Sequence, residues 1–581
     1  MKKIIYIAII IPLLHGCSKF LDKQPFASIT PEKVFSNAND MALYVNSFYI
    51  NQMPTGNDIA QGDGSADYIS GNNIPQIMQA SFTPDNAGGW SWTALRNINY
   101  FLDNAAVSAI PESVKNNYIG IARFFRAWFY YNMVATYGDV PWYGQALAPE
   151  DAALYKPRDS RVLVMDSIMA DLDFAITNIT AAKDNGCSTI TKMAALALKS
   201  RICLFEGTFR KYHKELNLTA SANDYLKAAA DAAGQIITSK NYSIHNTGAP
   251  NSDYRSLFIN EVPSPDEIIL ARVYNSSLKL WNNLNAIFYS PTLSGRYSPT
   301  KQFIDTYLNL DGSRFTDRPM FDTVFFVNEM KDRDPRLQQS IRCNGYKYSD
   351  GTSAPPDYAY TFTGYQIKKY SIDNKAANTS TINSNSIPVF RYAEVLLNYA
   401  EAKAELGAFS ETDWSNTIQL TRRRAGIKNT DYPTTADPYL RTTYFPELTD
   451  PVLLEIRRER SVEMFCEGLR FNDIRRWKEG HVMSLPYLGV YVPELNKPYA
   501  MNGDGVLNVS FVTATPATKV PGIVYDLVSG ATIKLTSGTT GNIHWLYNLD
   551  NQRKWNDKFY YQPIPTSQLV LNSRLEQSPG W

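Results

Sequence analysis

Apolar positions in the first 240 residues recur mainly at intervals of three and four, the spacing of helices with one buried face. Within residues 91–110, Leu95, Ile98 and Leu102 follow that spacing. Residues 113–137 carry Ile121, Phe124, Phe125, Trp128, Phe129 and Tyr131, dense enough to predict a helix buried on most sides. The runs "RDSRVLVMDSIMADLDFAIT", "TKMAALALKSRICLFEGTFRKYH" and "ANDYLKAAADAAGQIITS" predict three more, with abundant alanine suited to close helix contacts. Helices of about 15–25 residues arriving in succession predict an α-solenoid-like scaffold of helical hairpins.

The pattern changes between residues 240 and 390. Stretches such as "YSPTLSGRYSPT" and "NGYKYSDGTSAPPDYAYTFTG" are rich in turn residues and aromatics, and predict loops with short strands, one of them at 267–272. Helical spacing returns in "VFRYAEVLLNYAEAKAELG", with Gly407 placed to end it, and in "DPVLLEIRRERSVEMFCEGLRFNDIRRW". Residues 481–581 read as irregular, with strand-like pieces "NVSFVTA" and "ATIKLT". The expected fold is mainly α, a helical-repeat scaffold carrying a loop-rich lobe with short strands. A single domain over 36–581 is expected: 36–239 mainly helical, 240–390 loop-rich and ligand-facing, 391–480 helical, 481–581 irregular. Long loops on a rigid frame are where binding usually resides.

The start of the chain, "MKKIIYIAIIIPLLHGCSKF", stands apart. Two lysines precede an apolar run from Ile4 to Leu14, the form of an export signal. As a helix that run spans roughly 16 Å, about half of a hydrocarbon layer, too short for a membrane-spanning helix. The run leads into Cys17 in the manner of a bacterial lipobox. Residues 1–16 are expected to be removed and Cys17 to carry acyl chains, with 17–35 a polar leader. Two or more chains hold a protein firmly to a bilayer.

Composition narrows the chemistry. With 57 basic and 56 acidic residues the net charge is +1, so no overall field favours nucleic acid. Aromatics make up 13% of the chain, 37 of them tyrosine, an excess that suits surfaces gripping amphipathic ligands. Cys187, Cys203, Cys343 and Cys466 lie far apart with no metal-type spacing, and are expected to be free and buried. Phosphate-loop, zinc-protease and nucleophile-elbow motifs are absent, and no cofactor is expected. Asp63, Ser65 and Asp67 alternate like the ligands of a calcium loop, but the twelfth position is Ile74 and not a glutamate. A structural calcium is the minor alternative there to a solvated or ligand-facing loop.

Two aromatic patches are the candidate binding residues. In "GGWSWTALRNINYF", Trp90 and Trp92 lie near a helix start, with Arg96 and Asn99 about one turn on. Two positions apart on a helix they would diverge, one packing and one projecting. An indole face stacks on the C–H face of a sugar ring, while amides and arginines hydrogen-bond to hydroxyls. In "LKLWNNLNAIFYSPTLSGRY", Trp281, Asn285 and Tyr289 offer the same chemistry, with Asn282 and Tyr297 beside them. Glu455, Glu459, Glu463 and Glu467 recur every four residues among arginines, with Arg458 in reach of Glu455 and Arg460 in reach of Glu463. That pattern reads as a paired structural network and not as the carboxylate pair of a glycosidase.

Together, "ARFFRAWFYYNMVATYGDVPW", "YSPTKQFIDTYLNLDG", "DRDPRL", "FRYAEVLLNYAEAKAELG", "EIRRERSVEMFCEGLRFNDIRRWKEG" and "FYYQPIPTSQLVLNSRLEQSPGW" resemble the SusD/RagB family of outer-membrane nutrient-binding lipoproteins, almost end to end and in the family's order. The resemblance implies tetratricopeptide-like helical pairs and a loop-rich ligand face. It also implies an outward-facing, lipid-anchored place on the outer membrane and partnership with a TonB-dependent transporter barrel. Capture of an oligosaccharide without catalysis is the implied function; a peptide-binding lid is the alternative, and a glycoside hydrolase a more distant one. Trp90 fits the family's likeliest stacking region, and Asn99 matches the asparagine of its helix pattern.

Overall fold

The computed structural model describes residues 35–106, 108–290, 295–379 and 381–581. The expected signal, Cys17 and most of the leader lie outside the described residues.

Successive helices pack on one another as the spacing predicts. Ala38–Gln52 and Thr93–Ala106 lie against Glu112–Tyr137, which packs on Arg161–Asn178. That helix packs on Lys192–Tyr212, and the latter on Ala222–Ser239. The array is a tetratricopeptide-like stack of helical pairs. Glu112–Tyr137 is buried along most of its length because aromatics occupy nearly every face of its second half. It ends at Gly138, whose φ of 79° is open to glycine at little cost. Lys192–Tyr212 and Ala222–Ser239 approach closely at Gly207, where a Cβ would stand 2.8 Å from Leu226 Cγ and 2.9 Å from its backbone nitrogen. Buried Ala229, Ala230 and Ala233 let the same two backbones stay close.

The chain then leaves the stack for the loop-rich region and returns as Tyr392–Glu405, which packs on both Lys192–Tyr212 and Ala222–Ser239. Pro451–Glu463 adds to that face, and Arg470–Trp477 packs back on Lys192–Tyr212. The charged run is thus two helices, separated where Cys466 and Gly468 take positive φ. Strands are short and gathered in small sheets. Ile268–Arg272 pairs antiparallel with Ile387–Arg391, setting Ile268 opposite Arg391. Tyr487–Val492, Gly541–Trp545 and Ile533–Leu535 form one three-stranded sheet, and Pro498–Tyr499, Val509–Val512 and Val524–Leu527 another. Cys187, Cys203, Cys343 and Cys466 are buried and free.

The glutamate ladder is interior and paired, for the most part with partners that helical spacing does not reveal. Glu463 meets Arg336 at 2.7 Å, Arg391 at 2.6 Å and Arg424 at 2.5 Å, all three from other segments. Glu459 is held by Arg336 at 2.5 Å and Arg422 at 3.0 Å, and Glu467 by Lys369 and Arg391. Arg458 does reach Glu455, at 3.2 Å. Arg460, expected to neutralise Glu463, turns instead to Asp473 at 2.8 Å and to the Asn398 carbonyl oxygen of its side-chain amide at 2.9 Å. Distant arginines displace it because the Ile268–Arg391 register delivers Arg391 beside Glu463 and Glu267.

Candidate ligand-binding groove

Gly88 and Gly89 carry the chain into Trp90 and Trp92, which both precede the first turn of Thr93–Ala106. Helical divergence therefore does not apply to them, and the expectation that one packs while the other projects gives way to a joint arrangement. Both rings are half-buried and meet edge to face, centroids 5.3 Å apart at 77°. Trp90 also meets the edge of Tyr137 at 4.9 Å, and the Tyr137 hydroxyl donates to the Gly88 carbonyl at 2.9 Å. A Cβ on Gly89, whose φ is +87°, would lie 2.9 Å from that hydroxyl oxygen, so the turn into Trp90 needs a glycine. Trp92 packs on Tyr143 at 5.3 Å and on Phe129 at 5.7 Å.

These rings form one wall of a groove of about 390 Å³. Arg96 is exposed beside them, its Nε 3.4 Å from the Leu147 carbonyl. Tyr143 and Tyr155 come from the loop after Glu112–Tyr137, and Gln568, Leu571 and Asn572 from the C-terminal helix Thr566–Leu571 and the residue after it. The Asn572 amide donates to the Lys156 carbonyl at 2.9 Å and ties those two walls together. A neighbouring cavity of about 320 Å³ shares Tyr155, Leu571 and Asn572 and adds Arg574, so the depression is elongated. Burial pushes the Tyr143 phenol up to about 12, with Asp159 adding to it, so its hydroxyl stays protonated at neutral pH.

Asn99 lies at the groove wall but does not offer its amide to a ligand. It is buried, donates to the carbonyls of Tyr143 at 2.8 Å and Gln145 at 3.2 Å, and accepts from Arg126 Nη1 at 3.2 Å. Arg126 is in turn clamped by both oxygens of Asp171 at 2.7 Å. Asn99 is thus the strut of the 143–145 loop. Asn99→Ala leaves buried carbonyls and the guanidinium short of partners, and is expected to cost about 1–3 kcal/mol. Melting curves should show that loss together with weaker ligand binding; a variant as stable as the wild type would refute the strut.

The profile of the SusD family matches residues 267–581, more than half of the chain. The chain belongs to the SusD family. A second profile, described as starch-binding associating with outer membrane, matches residues 25–217. Two relatives from Formosa agariphila support this. SusD-like protein P38 is 24% identical over 81% of this chain and 90% of its own length. SusD-like protein P2 is 23% identical over 82% and 91%. Among solved structures, a SusD-like carbohydrate binding protein from Bacteroides fragilis superposes with a TM-score of 0.70 at 22% identity, covering 94% of this chain and all of that one. That likeness extends the shared SusD fold to nearly the whole length.

The second aromatic patch is not part of the Trp90 groove. Trp281 is 41% exposed, but it is absent from the groove lining. Asn285 and Tyr289, expected to face a ligand, are buried. The Asn285 amide donates to the Ile372 carbonyl at 3.0 Å and to Asn378, and the Tyr289 hydroxyl donates to the Ile367 carbonyl at 2.8 Å under the Arg342 guanidinium. The short helix Leu284–Tyr289 turns both inward, a direction that composition does not encode. Asp63 and Asp67 of the calcium-like loop are likewise drawn inside, while Ser65 stays exposed. Asp63 accepts from the Arg470 backbone and the Tyr68 hydroxyl, and Asp67 takes the Arg470 fork at 2.8 Å through both oxygens. The loop's carboxylates are spent on Arg470 and Tyr68, and the described residues contain no cluster of three His, Cys, Asp or Glu side chains that could hold a metal ion. Sequence reasoning missed Tyr143, Tyr155, Gln568 and Leu571. The C-terminal run "SQLVLNSRL" reads as irregular, and no local spacing in it marks Gln568 or Leu571 as groove residues; the exposure of Val570 and Leu571 shows only in the structure.

Proposed function

We propose that this SusD-family protein captures an oligosaccharide in the Trp90 groove and passes it, unaltered, to a TonB-dependent outer-membrane transporter. The aromatic groove itself carries the reading: indole and phenol rings line one elongated depression together with Arg96 and Gln568. Rings supply apolar faces for sugar C–H surfaces, and the polar tips supply donors for hydroxyls. The B. fragilis structure described as carbohydrate binding, and the family description as starch-binding, point the same way. No aspartate or glutamate lines the groove, so the paired carboxylates of glycoside hydrolysis are not offered there. None of the lining residues belongs to a strand, so the groove gives a peptide backbone no sheet edge to extend.

No helix among the described residues is long and apolar enough to cross a membrane. Acylation of Cys17 would hold the protein at the cell exterior, over the transporter. Titrating a panel of oligosaccharides and peptides by calorimetry, while following reducing ends, tests the reading. Saturable glycan binding without new reducing ends is expected. Peptide binding in place of glycan binding would favour the peptide-lid alternative, and sustained release of reducing ends would overturn the non-catalytic reading.

A further inference from the structure

Away from the aromatic groove, and sharing no lining residue with it, lies a cavity of about 260 Å³ between the 62–77 segment and the helix Arg470–Trp477. Ser65, Gln76, Phe471, Asn472, Arg475 and Gln562 line it. Arg475 sets it apart. Its neighbours on the same helix are all matched to carboxylates: Arg470 to Asp67, and Arg476 to Asp473 and Glu401. Arg475 is 4% exposed, yet no carboxylate among the described residues forms an ion pair with it. Among the described residues its one side-chain hydrogen bond is a long one, 3.5 Å from Nη1 to Asn472 Oδ1, and its Nε has no partner there. The guanidinium rests 4.3 Å from the Phe471 ring centroid. Tyr131, Tyr137 and Tyr561 are the groups that act on it electrostatically; burial raises all three phenols, two of them to about 12, so none supplies negative charge at neutral pH. Burial pulls Arg475 itself down to about 10, which leaves it charged under the same conditions.

A buried, unpaired guanidinium is an expensive feature unless something of opposite charge meets it. The carbonyl ends at the C-terminus of its helix offset only part of that charge. A carboxylate in the cavity would meet a planar fork of donors, the geometry that Arg offers best. The amides of Asn472, Gln562 and Gln76 and the Ser65 hydroxyl lie on the same lining and can satisfy the remaining oxygens of a small polar molecule. The volume is that of a compact ligand and not of an extended chain. We propose that this cavity is a second ligand site, for a small carboxylate-bearing molecule of the size of one sugar acid.

Thermal melts and calorimetry on the full chain test it, with D-glucuronate, acetate and D-glucose as probes at matched ionic strength. Glucuronate is expected to raise the melting temperature and glucose is not. A shift with acetate as well assigns the site to carboxylates in general, and its absence assigns the ring a share of the binding; both accord with the site. Arg475→Gln should weaken glucuronate about tenfold or more, the range for losing a charged hydrogen-bond pair. Its unliganded melting temperature should not fall, because a buried charge is removed. Asn472→Ala, which leaves Arg475 in place, should weaken glucuronate less, and Trp90→Ala should leave that binding intact. The proposal is overturned if wild type shows no carboxylate-dependent shift, if Arg475→Gln keeps it, or if Trp90→Ala abolishes it.

Discussion

Replacing Glu463 by glutamine is expected to destabilise the protein by about 3–5 kcal/mol, the cost of breaking a buried ion pair from one side. Glu463 is fully buried and gathers Arg336, Arg391 and Arg424 from three separate segments. Glutamine fills nearly the same space, so the effect isolates the charge. It leaves three guanidinium groups sharing Asp334, Glu267, Glu459 and Glu467. The same network sets a pH dependence. Burial alone would push the Glu463 carboxyl up, but Arg424, Arg391 and Arg336 reverse this and hold it well below the usual carboxylate range. Glu459 and Glu467 are held down in the same way by their own arginines and Lys369. A carboxyl with a depressed folded pKa contributes stability that is complete above its unfolded pKa, about 4.3, and is lost as pH falls through the folded value. Glu267 acts oppositely, since burial outweighs Arg424 and Arg391 and raises it. Three depressed groups outnumber that one, so stability should decline on acidification below about pH 4.3. Denaturant titrations of wild type, Glu463→Gln and the exposed control Glu494→Gln measure this. A Glu463 variant no weaker than the control, or a wild type indifferent to acid, would show that the network contributes nothing net.

Trp90→Ala should weaken oligosaccharide binding about 10- to 70-fold. Stacking one indole on a sugar ring removes ~60–100 Å² of apolar surface from water, worth roughly 1.5–2.5 kcal/mol before ordering costs. Trp90 also meets Trp92 and Tyr137 edge to face, and such pairs contribute about 0.5–1.5 kcal/mol each beyond area burial. A moderate fall in melting temperature is therefore expected alongside the loss of affinity, smaller than the roughly 3–5 kcal/mol for emptying a fully buried tryptophan site. Trp281→Ala, outside the groove, should change neither quantity by much. Calorimetric titration of a glycan bound by the wild type, with melts of each variant, separates the two residues. Undiminished affinity in Trp90→Ala, or a larger loss in Trp281→Ala, would place the ligand elsewhere.

What was readable from the chain alone follows from the range of the forces involved. Helix existence depends on spacing within a few turns, so the Leu95–Ile98–Leu102 stripe and the aromatic run of 113–137 announced Thr93–Ala106 and Glu112–Tyr137. The close approach at Gly207 was foreshadowed by the alanine-rich helices around it. The family motifs, spread in order over the chain, made the SusD membership legible before any fold was seen. The ion pairs of the glutamate ladder were legible as a class, because charges so threaded with arginines must be neutralised if buried.

Arg458 at Glu455 follows from the three-residue spacing, but the partners of Glu463 were not legible. Arg336, Arg391 and Arg424 reach Glu463 from 127, 72 and 39 residues away, and only strand register and helix packing bring them there. The same limit governs the groove. Trp90 could be picked out by its ring and its glycine-rich approach, whereas Tyr143, Tyr155 and Leu571 join it only because Asn99 and Asn572 hold distant loops in place. Asn285 and Tyr289 carry the same side chains as ligand contacts, yet a single turn of helix buries them. A sequence states which groups are available; which of them face water, face one another or line a cavity, as Arg475 does, is decided by contacts between segments that no local spacing records.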